Sequence, residues 1–460
     1  MTANAPAPVA TPAAPIAAAR PAPHPLRSEL RRGSAPWAGV AVAVTLGIAL
    51  AGKAPRWQGS WGETQMMLNT VAALLGGPLA AAAGCWQGGR ERRRRTDELR
   101  ASAARAPLAQ FLTASLPTAG WIVVGYGVVA AGTLAATWPY TSAGRPLLAP
   151  MLVDAAFLAA MTLLGHVVGR LVAWRAAAPA LAVCCYLLFG IPSYGTSRAR
   201  HLSPASAEAM GDMIPVWWQP VAAITWTGGL AAAAVLAYAA RRRSTALLPL
   251  AAAAVAGVVV AQTGDGMWRP HPLAQRQVCD TSVRPHICVN ALRPGLLPEV
   301  RNALAPLQER LDGVDNLPAR FEDLVGEPGP DEAQLPMLTP LGWIVVRGEL
   351  TDPEQYAWEG AAAIMGSHDA CDARAEDERA RRVDMAVTDW LAPVPVRQAS
   401  ERDTLELAGE AGDEAAIAHV EADRAVRARL AAMPDDERRE WLSRYFATVH
   451  SCDPKEVPAL

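Results

Sequence analysis

The hydrophobic and polar positions divide this chain into two parts. Before residue 264, long apolar runs alternate with short polar loops, and seven runs approach or reach the roughly 17 to 25 residues that a helix needs to cross a bilayer core. After residue 264, apolar residues recur at helical intervals. The pattern predicts a mainly α protein: a polytopic membrane bundle of six core spans plus one, then a small, mostly helical soluble domain. The predicted spans are residues 36–52, 65–86, 118–138, 150–174, 176–191, 217–240 and 245–263.

The composition separates a basic apolar part from an acidic part. The 460 residues are 51% hydrophobic with a mean hydropathy of +0.12, which is too apolar for an ordinary soluble protein. Residues 1–263 hold 21 of the 42 basic residues but only 8 of the 44 acidic ones. We therefore expect a disordered Ala/Pro-rich tail with a basic pre-membrane segment at 1–35, a six-span unit at 36–240, a seventh span at 245–263 and an acidic domain at 264–460.

The arginines give the expected orientation, because basic loops stay in the cytoplasm. A cytoplasmic N-terminus puts the arginines of 20–32, 90–105, 175 and 241–243 inside and leaves five basic residues in the opposite loops. Seven crossings then place the acidic domain outside. We expect a multi-pass protein of a bacterial plasma membrane with a cytoplasmic N-terminus and an extracytoplasmic C-terminal domain.

The most basic loop, GGRERRRRTDELRASAAR at 88–105, separates the second and third predicted spans. Thr96 can cap a helix whose first turn holds Asp97 and Glu98, a charge order that suits a helix N-terminus. The loop has two interpretations, an orientation signal alone or a docking element for a partner.

The order of these segments resembles the permease subunits of ABC exporters of the ABC-2 class. The likeness covers residues 24–240 and includes a longer outer loop at 193–220 before the sixth span. The C-terminal part, with VCDTSVRPHICVNALRPGLLPEV and a cysteine near the chain end, is similar to a group of actinobacterial ABC-associated permeases. In the ABC-2 class, the loop between the second and third spans carries a coupling helix. The resemblance therefore implies candidate ATPase-docking residues Arg92, Arg93, Arg94, Arg95, Asp97, Glu98 and Arg100.

The resemblance also implies a function and partners. A permease-like subunit would form a homodimer, or a heterodimer with a second permease, and a separate cytoplasmic ABC ATPase would energise export of an amphipathic substrate. The alternative hypothesis is a non-transporting membrane scaffold or sensor that presents an extracytoplasmic binding domain. Neither hypothesis involves nucleic acid, and both require a lipid membrane.

The predicted spans hold few ionisable residues. Asp154 lies near the outer end of the fourth span, and Arg170 lies near its inner end, where a long side chain can reach the interface. We expect His166, one turn before Arg170, to be a hydrogen-bonded packing residue. Energy for any transport is therefore expected from a partner. Close helix approach is expected at Gly76, Gly77, Gly125 and Gly132.

Four of the seven cysteines follow the last predicted span: Cys279, Cys288, Cys371 and Cys452. An even number outside the cell suggests two disulfides. We favour Cys279–Cys288, where the chain can turn back through Arg284 and Pro285, and Cys371–Cys452. The alternative is a zinc site, to which His368 with Cys371 and His450 with Cys452 could each supply two ligands, with His286 beside Cys288.

The C-terminal sequence predicts helices at 296–311, 370–391 and 413–433, a strand at 342–350 and a last helix after Met433. The buried stripe of the last helix is Trp441, Leu442, Tyr445 and Phe446. The stretch GIALAGKA at 47–54 resembles a phosphate-binding loop, but it lies in a span and has Ala54 where the motif requires a hydroxyl. No hydrolase motif occurs in the C-terminal part. We therefore expect no catalytic residue, metal or cofactor site, and no enzymatic activity in this chain.

Overall fold

The structure, a computed structural model, describes residues 30, 33–90, 93, 106–172, 174–205, 211–324, 326–338, 345–365 and 372–460. The described chain is mainly α-helical and contains two large hydrophobic cores. One core uses residues between 42 and 205, and the other uses residues between 287 and 457. The first lies in a bundle of apolar helices, and the second lies in the C-terminal region, defined here as residues 264–460.

Each predicted span lies on a helix of the bundle. Five helical segments, Trp61–Gly88, Pro107–Tyr140, Leu148–Leu171, Gln219–Ala239 and Arg243–Met267, are long and apolar enough to cross a membrane. The other two helices have 17 residues each and are therefore about 25 Å long, slightly less than a bilayer core. The bundle helices are α1 Ala35–Ala51, α2 Trp61–Gly88, α3 Pro107–Thr137, α4 Leu148–Leu171, α5 Ala177–Ser193, α6 Gln219–Ala239 and α7 Leu247–Thr263.

Successive bundle helices run in opposite directions. At one end, Ser34 before α1 donates a hydrogen bond of 3.0 Å to Gln87 at the end of α2. At the other end, Gln58 between these helices accepts a hydrogen bond of 2.7 Å from Arg347 of the C-terminal region. We call the first end the arginine end, because Arg90, Arg93 and the arginines of 241–243 follow helices that end there. The second is the capped end, because the C-terminal region covers it.

Helices α2 and α4 pack backbone against backbone. Each carries a Gly-x-x-x-Gly pair, Gly84 with Gly88 on α2 and Gly165 with Gly169 on α4. A Cβ atom added to Gly165 would lie 2.0 Å from the carbonyl oxygen of Ala81, and the other three glycines show similar distances of 2.0–2.3 Å to the facing helix. Small residues are the usual device for close helix approach in lipid. Glycine at these positions therefore sets the distance between the two helices.

The glycines named from the sequence have three different surroundings. Gly125 of α3 lies against the backbone of Gly39 in α1, with a built Cβ at 2.3 Å, as predicted. Gly76 and Gly77 contact side chains of Leu158 and Phe157 rather than another backbone. The prediction for Gly132 is wrong, because a Cβ there would meet no described atom within 4 Å. Gly132 instead lies on an exposed face of α3.

The C-terminal region joins a small mixed sheet to a set of helices. The strands are β1 Met213–Pro215, β2 Trp268–Pro270, β3 Gln277–Asp280, β4 His286–Asn290, β5 Arg320–Glu322, β6 Glu332–Gln334, β7 Val345–Val346 and β8 Glu349–Leu350. Strands β3 and β4 pair antiparallel, and β4, β5 and β6 pair in parallel, giving the order β3-β4-β5-β6. Two further antiparallel pairs are β7–β8 and β1–β2, of which β1 precedes the C-terminal region. The helices are α8 Leu297–Arg310, α9 Pro353–Ile364, α10 Asp372–Glu376, α11 Glu378–Leu391, α12 Pro395–Ala411, α13 Glu414–Ala432 and α14 Asp435–Phe446.

The C-terminal helices and strand predicted from the sequence are present, but one predicted helix is interrupted. The helix expected at 370–391 is two helices, because Asp377 leaves the helical conformation and caps α11 by accepting the Ala380 amide hydrogen at 2.8 Å. The apolar stripe of α14 is buried as predicted. The strand expected at 342–350 is the β7–β8 hairpin, with residues 342–344 outside the described part. The four-stranded sheet was not predicted.

A buried arginine ties three helices of this region together. Arg374 of α10 is fully buried and forms an ion pair of 2.9 Å with Asp384 of α11. The same carboxylate accepts the hydroxyl hydrogen of Tyr445 in α14 at 2.6 Å, and Arg374 also donates to the carbonyl oxygen of Thr448 at 2.6 Å. Burial, with the nearby Asp384 charge as a second cause, raises the pKa of Tyr445 above its ordinary value. Tyr445 therefore stays protonated and donates this bond at any physiological pH.

The predicted disulfide between Cys279 and Cys288 is confirmed. These residues face each other across the β3–β4 pair, and the chain turns back between them through Arg284 and Pro285. Because Cys288 is in this bond, it does not provide a zinc ligand. Cys452 is also disulfide-bonded. Its predicted partner, Cys371, lies outside the described residues, as does His368 of the zinc alternative.

The capped end of the bundle is joined to the C-terminal region by a pair of β-strands as well as by close backbone packing. Strand β1, just before α6, pairs with β2, just after α7, so that a two-stranded ribbon closes over the ends of both helices. A Cβ on Gly348, in the β7–β8 turn, would lie 2.6 Å from the carbonyl oxygen of Tyr140 after α3. The two lysines of the chain, Lys53 after α1 and Lys455 near the C-terminus, are both exposed on this side.

Candidate functional site

A cavity of about 110 Å³ opens between the helices at the capped end. Its walls are α2, α4 and α6, and it is covered by the 201–204 loop and the β1–β2 ribbon. One water needs roughly 10–15 Å³ measured in this way, so the cavity has room for several waters or a small polar group. It is therefore a candidate binding space at the capped end of the bundle.

The most polar group in this cavity is the carboxylate of Asp154. One oxygen accepts a hydrogen bond of 2.7 Å from the Asn69 amide, and the other accepts one of 2.7 Å from the Tyr126 hydroxyl. The side chain is almost fully buried, with 4% of the residue exposed. Both donors are neutral, and Asp154 forms no ion pair with a described residue. A buried carboxylate without a counterion within a membrane bundle is costly and marks a candidate binding site.

Three helices position this carboxylate. Asp154 lies one and a half turns into α4, Asn69 lies on α2 just before a π-helical stretch at Ala72–Gly76, and Tyr126 lies midway along α3. Gln65, one turn before Asn69 on the same face of α2, donates to the carbonyl oxygen of Leu147 and so fixes the start of α4. The polar groups thus converge from segments that are distant in the sequence.

The remaining wall of the cavity is aromatic and sulfur-rich. Phe157 and Trp226 project from α4 and α6, Trp268 comes from β2, and three methionines are also part of the lining. Trp226 donates its indole hydrogen to the Leu202 carbonyl oxygen at 3.1 Å, which holds its ring against the loop. Aromatic faces and thioethers are favourable surroundings for an organic cation or an alkyl group. The three methionines are Met66, Met213 and Met267.

The imidazole of His201 is the other titratable group in the lining. Burial lowers its pKa, and the positive charge of Arg200 lowers it further, while Asp265 opposes both effects. Consistent with a neutral ring, His201 Nε2 accepts a hydrogen bond of 3.3 Å from Arg200. His201 is therefore uncharged at neutral pH, and it does not neutralise a charge on Asp154.

A second polar cluster lies beside the cavity at the junction with the C-terminal region. The guanidinium of Arg293 is 5% exposed and binds both carboxylate oxygens of Asp212 at 2.7 and 2.8 Å. Asp323 lies 3.6 Å from the same guanidinium and accepts the Asn290 amide hydrogen at 3.2 Å. Burial raises the pKa of Asp323, Arg293 lowers it, and nearby Asp212 raises it again, with a net rise. This cluster connects the loop before β1 to the C-terminal region.

Glu63, in the first turn of α2, borders this cluster. Its side chain is fully buried, and neither carboxylate oxygen accepts a hydrogen bond of normal geometry from a described residue. A Cβ on Gly211 would lie 2.9 Å from Glu63, and one on Gly62 would lie 2.4 Å from the Gly211 backbone. Residues 206–210, next along the chain, are outside the described part. The junction is thus tightly packed around buried charge.

Of the predicted docking residues, Arg93 is the one that the structure describes. Its guanidinium lies 4.2 Å from the centre of the Trp86 ring and donates to the Trp86 carbonyl oxygen. Arg93, Trp174 and Arg175 line a cavity of about 280 Å³ at the arginine end. The other predicted docking residues, Arg92, Arg94, Arg95, Asp97, Glu98 and Arg100, lie outside the described residues.

The remaining ionisable residues of α4 pack together at the arginine end. His166 is fully buried and accepts a hydrogen bond of 3.3 Å from Arg170. Its ring meets Phe111 of α3 edge to face at 4.9 Å. These contacts agree with a packing role for His166.

The sequence analysis did not identify Asp154 as part of a binding cavity. A signal was present, because Gln65 and Asn69 are polar residues one turn apart in an apolar run.

Comparisons with protein-family models, with curated proteins and with solved structures give no match for this chain. The class of protein is therefore defined by the fold and the cavity: a mainly α-helical protein with helices fit to span a membrane and a buried carboxylate in a cavity of its bundle. A more particular assignment depends on the chemistry of that cavity.

Proposed function

We propose that this protein is the membrane subunit of an ATP-driven transport system, a permease-like subunit of the ABC-2 type, and that its substrate binds in the Asp154 cavity. The observation that carries the proposal is the buried Asp154 carboxylate, which has only neutral partners among the described residues and lies in a cavity between candidate spans. Ionisable groups kept within a membrane bundle usually serve a substrate or an ion.

The packing of α2 against α4 supports a transport role for this cavity. Asp154 lies at the capped end, and the glycine pairs of the two helices close the bundle between it and the arginine end. Passage of a substrate would require α2 and α4 to separate. The 88–105 loop directly follows α2, so a partner bound to this loop could move the helix. An ATPase is the proposed partner, with a homodimer or a heterodimer of permeases as the functional unit.

The proposed sidedness puts the capped end outside the cell. The basic loops favour a cytoplasmic arginine end. The Cys279–Cys288 disulfide and the bonded Cys452 favour an oxidising compartment for the C-terminal region. On this basis we propose a bacterial plasma-membrane protein with an extracytoplasmic domain at 264–460.

A membrane sensor is a second candidate function, favoured by the β1–β2 ribbon. Met213 and Pro215 of β1, with Trp268 of β2, line the cavity and also connect α6 and α7 to the C-terminal region. A ligand in the cavity would therefore contact the connection between the two parts. In a sensor this contact would change the position of the C-terminal region without ATP hydrolysis.

Isolation of the full chain from native membranes separates these two functions. We expect the wild-type chain to co-purify with an ATP-hydrolysing subunit, and we expect replacement of Arg92, Arg93, Arg94 and Arg95 by alanine to lower the associated ATPase activity about 10-fold or more. The loss is expected because docking surfaces depend on a few arginine contacts. The measurement is ATP hydrolysis per mole of purified chain.

The matched control replaces Arg241, Arg242 and Arg243 by alanine, since these arginines lie at the same end of the bundle but outside the 88–105 loop. This control is expected to keep its ATPase. Equal activity in both variants would contradict docking at the loop. A wild-type chain that carries no ATPase at all would remove the transport proposal and favour the sensor.

A further inference from the structure

The Asp154 cavity continues into a second, apolar cavity of about 360 Å³. The second cavity is a groove on α4 between α5 and α6, and it is called the α5–α6 groove below. The two share six lining residues: Phe157, Leu202, Ser203, Pro204, Trp226 and Thr227. A molecule that occupies one cavity can therefore extend past Trp226 into the other.

We propose that these cavities form one site for an amphipathic amine, with its ammonium group at Asp154 and a single alkyl chain in the α5–α6 groove. The inference rests on the proposed function and names the class of its substrate. It follows from the different chemistry of the two connected spaces and from the charge of Asp154, the only carboxylate among the described residues that line them.

The head group is identified by charge. Asp154 receives hydrogen bonds from neutral Asn69 and Tyr126, and His201 in the same lining is uncharged at neutral pH. An ammonium group would supply the missing positive charge and further donors. The aromatic rings of Phe157 and Trp226 favour a cation beside them. No lysine or arginine is among the described residues that line either cavity, so a phosphate-bearing head group would have no cationic partner there.

The chain is identified by the lining of the groove. Apart from Ser203 and Thr227, its described lining residues are apolar or sulfur-containing. Both hydroxyl groups are already used, since Ser203 donates to the Phe189 carbonyl oxygen at 2.8 Å and Thr227 donates to that of Ala223 at 3.0 Å. The described lining therefore offers no unused hydroxyl hydrogen to a polar ligand, and it suits an alkyl chain.

The dimensions and position of the groove also fit a molecule that enters from the bilayer. Its lining runs along α4 from Phe157 to Val168, about 16 Å at the helical rise, which accommodates an alkyl chain such as dodecyl. Leu188 on α5 is 66% exposed and lies at the groove, so one wall faces the surroundings of the bundle. A single-chain amphipathic amine could therefore enter sideways from the lipid.

The test measures binding of tritiated dodecylammonium to the full chain in nanodiscs of uncharged lipid, with empty nanodiscs subtracted. Unlabelled methylammonium and dodecanol compete as the head group and the chain alone. We expect Asp154→Asn to weaken dodecylammonium binding about 10-fold or more and to leave dodecanol competition unchanged. We expect Leu188→Trp to weaken dodecylammonium binding about 10-fold by filling the groove.

Leu187→Trp is the matched control, because Leu187 is also exposed on α5 but does not line the groove as described. It is expected to bind like the wild type. Leu188→Trp changes an exposed side chain, so its result stands even if Asp154→Asn proves unstable in a thermal unfolding check. Dodecanol binding as tightly as dodecylammonium would show only lipid in the groove and would overturn the proposal.

The outcomes also separate this inference from the proposed function. One outcome is that methylammonium binds as tightly as dodecylammonium, and that its binding requires Asp154 but is unaffected by Leu188→Trp. In that case the cavity binds a ligand, but the alkyl-chain site in the groove is refuted. If both probes bind and transport-linked ATPase is absent, the amphipathic site stands and the transport function fails. If neither ammonium probe binds, both the substrate class and the cavity site are refuted.

Discussion

Replacing Gly165 by alanine is expected to destabilise the bundle by about 3 kcal/mol, at the upper end for a single added methyl group. The new Cβ would lie 2.0 Å from the carbonyl oxygen of Ala81, far inside normal contact distance. The obstacle is backbone, so no side chain can move aside, and α2 and α4 must separate. The measurement is the midpoint of thermal unfolding in detergent, followed by tryptophan fluorescence, with the monodisperse fraction on size exclusion as a second readout.

Gly127→Ala is the matched control for this substitution. Gly127 is a mid-helix glycine of α3 with no described atom within 4 Å of a built Cβ. Alanine favours the helix there by about 0.5–1 kcal/mol, so the control is expected to be neutral or slightly stabilised. Similar midpoints for the two variants would show that α2 and α4 do not depend on backbone contact. Gly169→Ala, with a built Cβ at 2.0 Å from the Cys85 carbonyl oxygen, should repeat the loss.

Replacing Arg293 by alanine is expected to destabilise the junction by about 3–5 kcal/mol, because it leaves buried carboxylates without their counterion. Asp212 would lose two hydrogen bonds of 2.7 and 2.8 Å, and Asp323 would lose its nearby positive charge. The loss should appear as faster cleavage between the bundle and the C-terminal region in limited proteolysis, together with a lower unfolding midpoint. Arg293→Ala combined with Asp212→Asn should recover part of the loss, since one uncompensated charge is removed.

The pH dependence of this loss provides a second check. Burial already raises the pKa of Asp323 in the folded wild type. Protonation of Asp323 therefore adds to the free energy of unfolding at low pH, and this addition is lost as the pH rises through the raised pKa. Without Arg293, which opposes the rise, the folded-state pKa moves higher. The deficit of Arg293→Ala should therefore be smaller at pH 5 than at pH 8.

The control for the junction is Arg301→Ala. Arg301 forms an ion pair of 3.6 Å with Asp280, but its side chain is 50% exposed, so its removal should cost less than about 1 kcal/mol. If Arg301→Ala and Arg293→Ala had equal effects at both pH values, the burial of the Arg293 cluster would not control the stability of the junction.

The helices of the bundle could be predicted from the sequence, because uninterrupted apolar runs of this length have few alternatives. Four of the C-terminal helical segments followed from apolar periodicity, whereas α9 and α12 were not predicted. Asp377 divided one predicted helix because an acidic cap ends one helix and starts another. The sheet could not be predicted in the same way. Strands β3, β5 and β6 have three or four residues each, too few to show alternation. The parallel pairing of β5 with β4 and β6 depends on contacts between distant segments.

The cavity could be predicted only in part. Asp154 was visible as an ionisable residue in a span, but its partners Asn69 and Tyr126 lie 85 and 28 residues away. Which helices bring them together depends on close packing at glycines, and the sequence does not distinguish Gly125, which meets another backbone, from Gly132, which does not. The disulfide between Cys279 and Cys288 could be predicted because only a short turn separates the two residues in the sequence.

The scarcity of lysine gives this chain a built-in chemical label. Lys53 and Lys455 are exposed on the same side of the bundle, and no other side chain in the sequence carries a primary amine. An acylating ester that does not permeate membranes should therefore modify both residues in intact cells or neither of them. Tryptic mass mapping would then report which compartment surrounds the C-terminal region, with no substitution introduced.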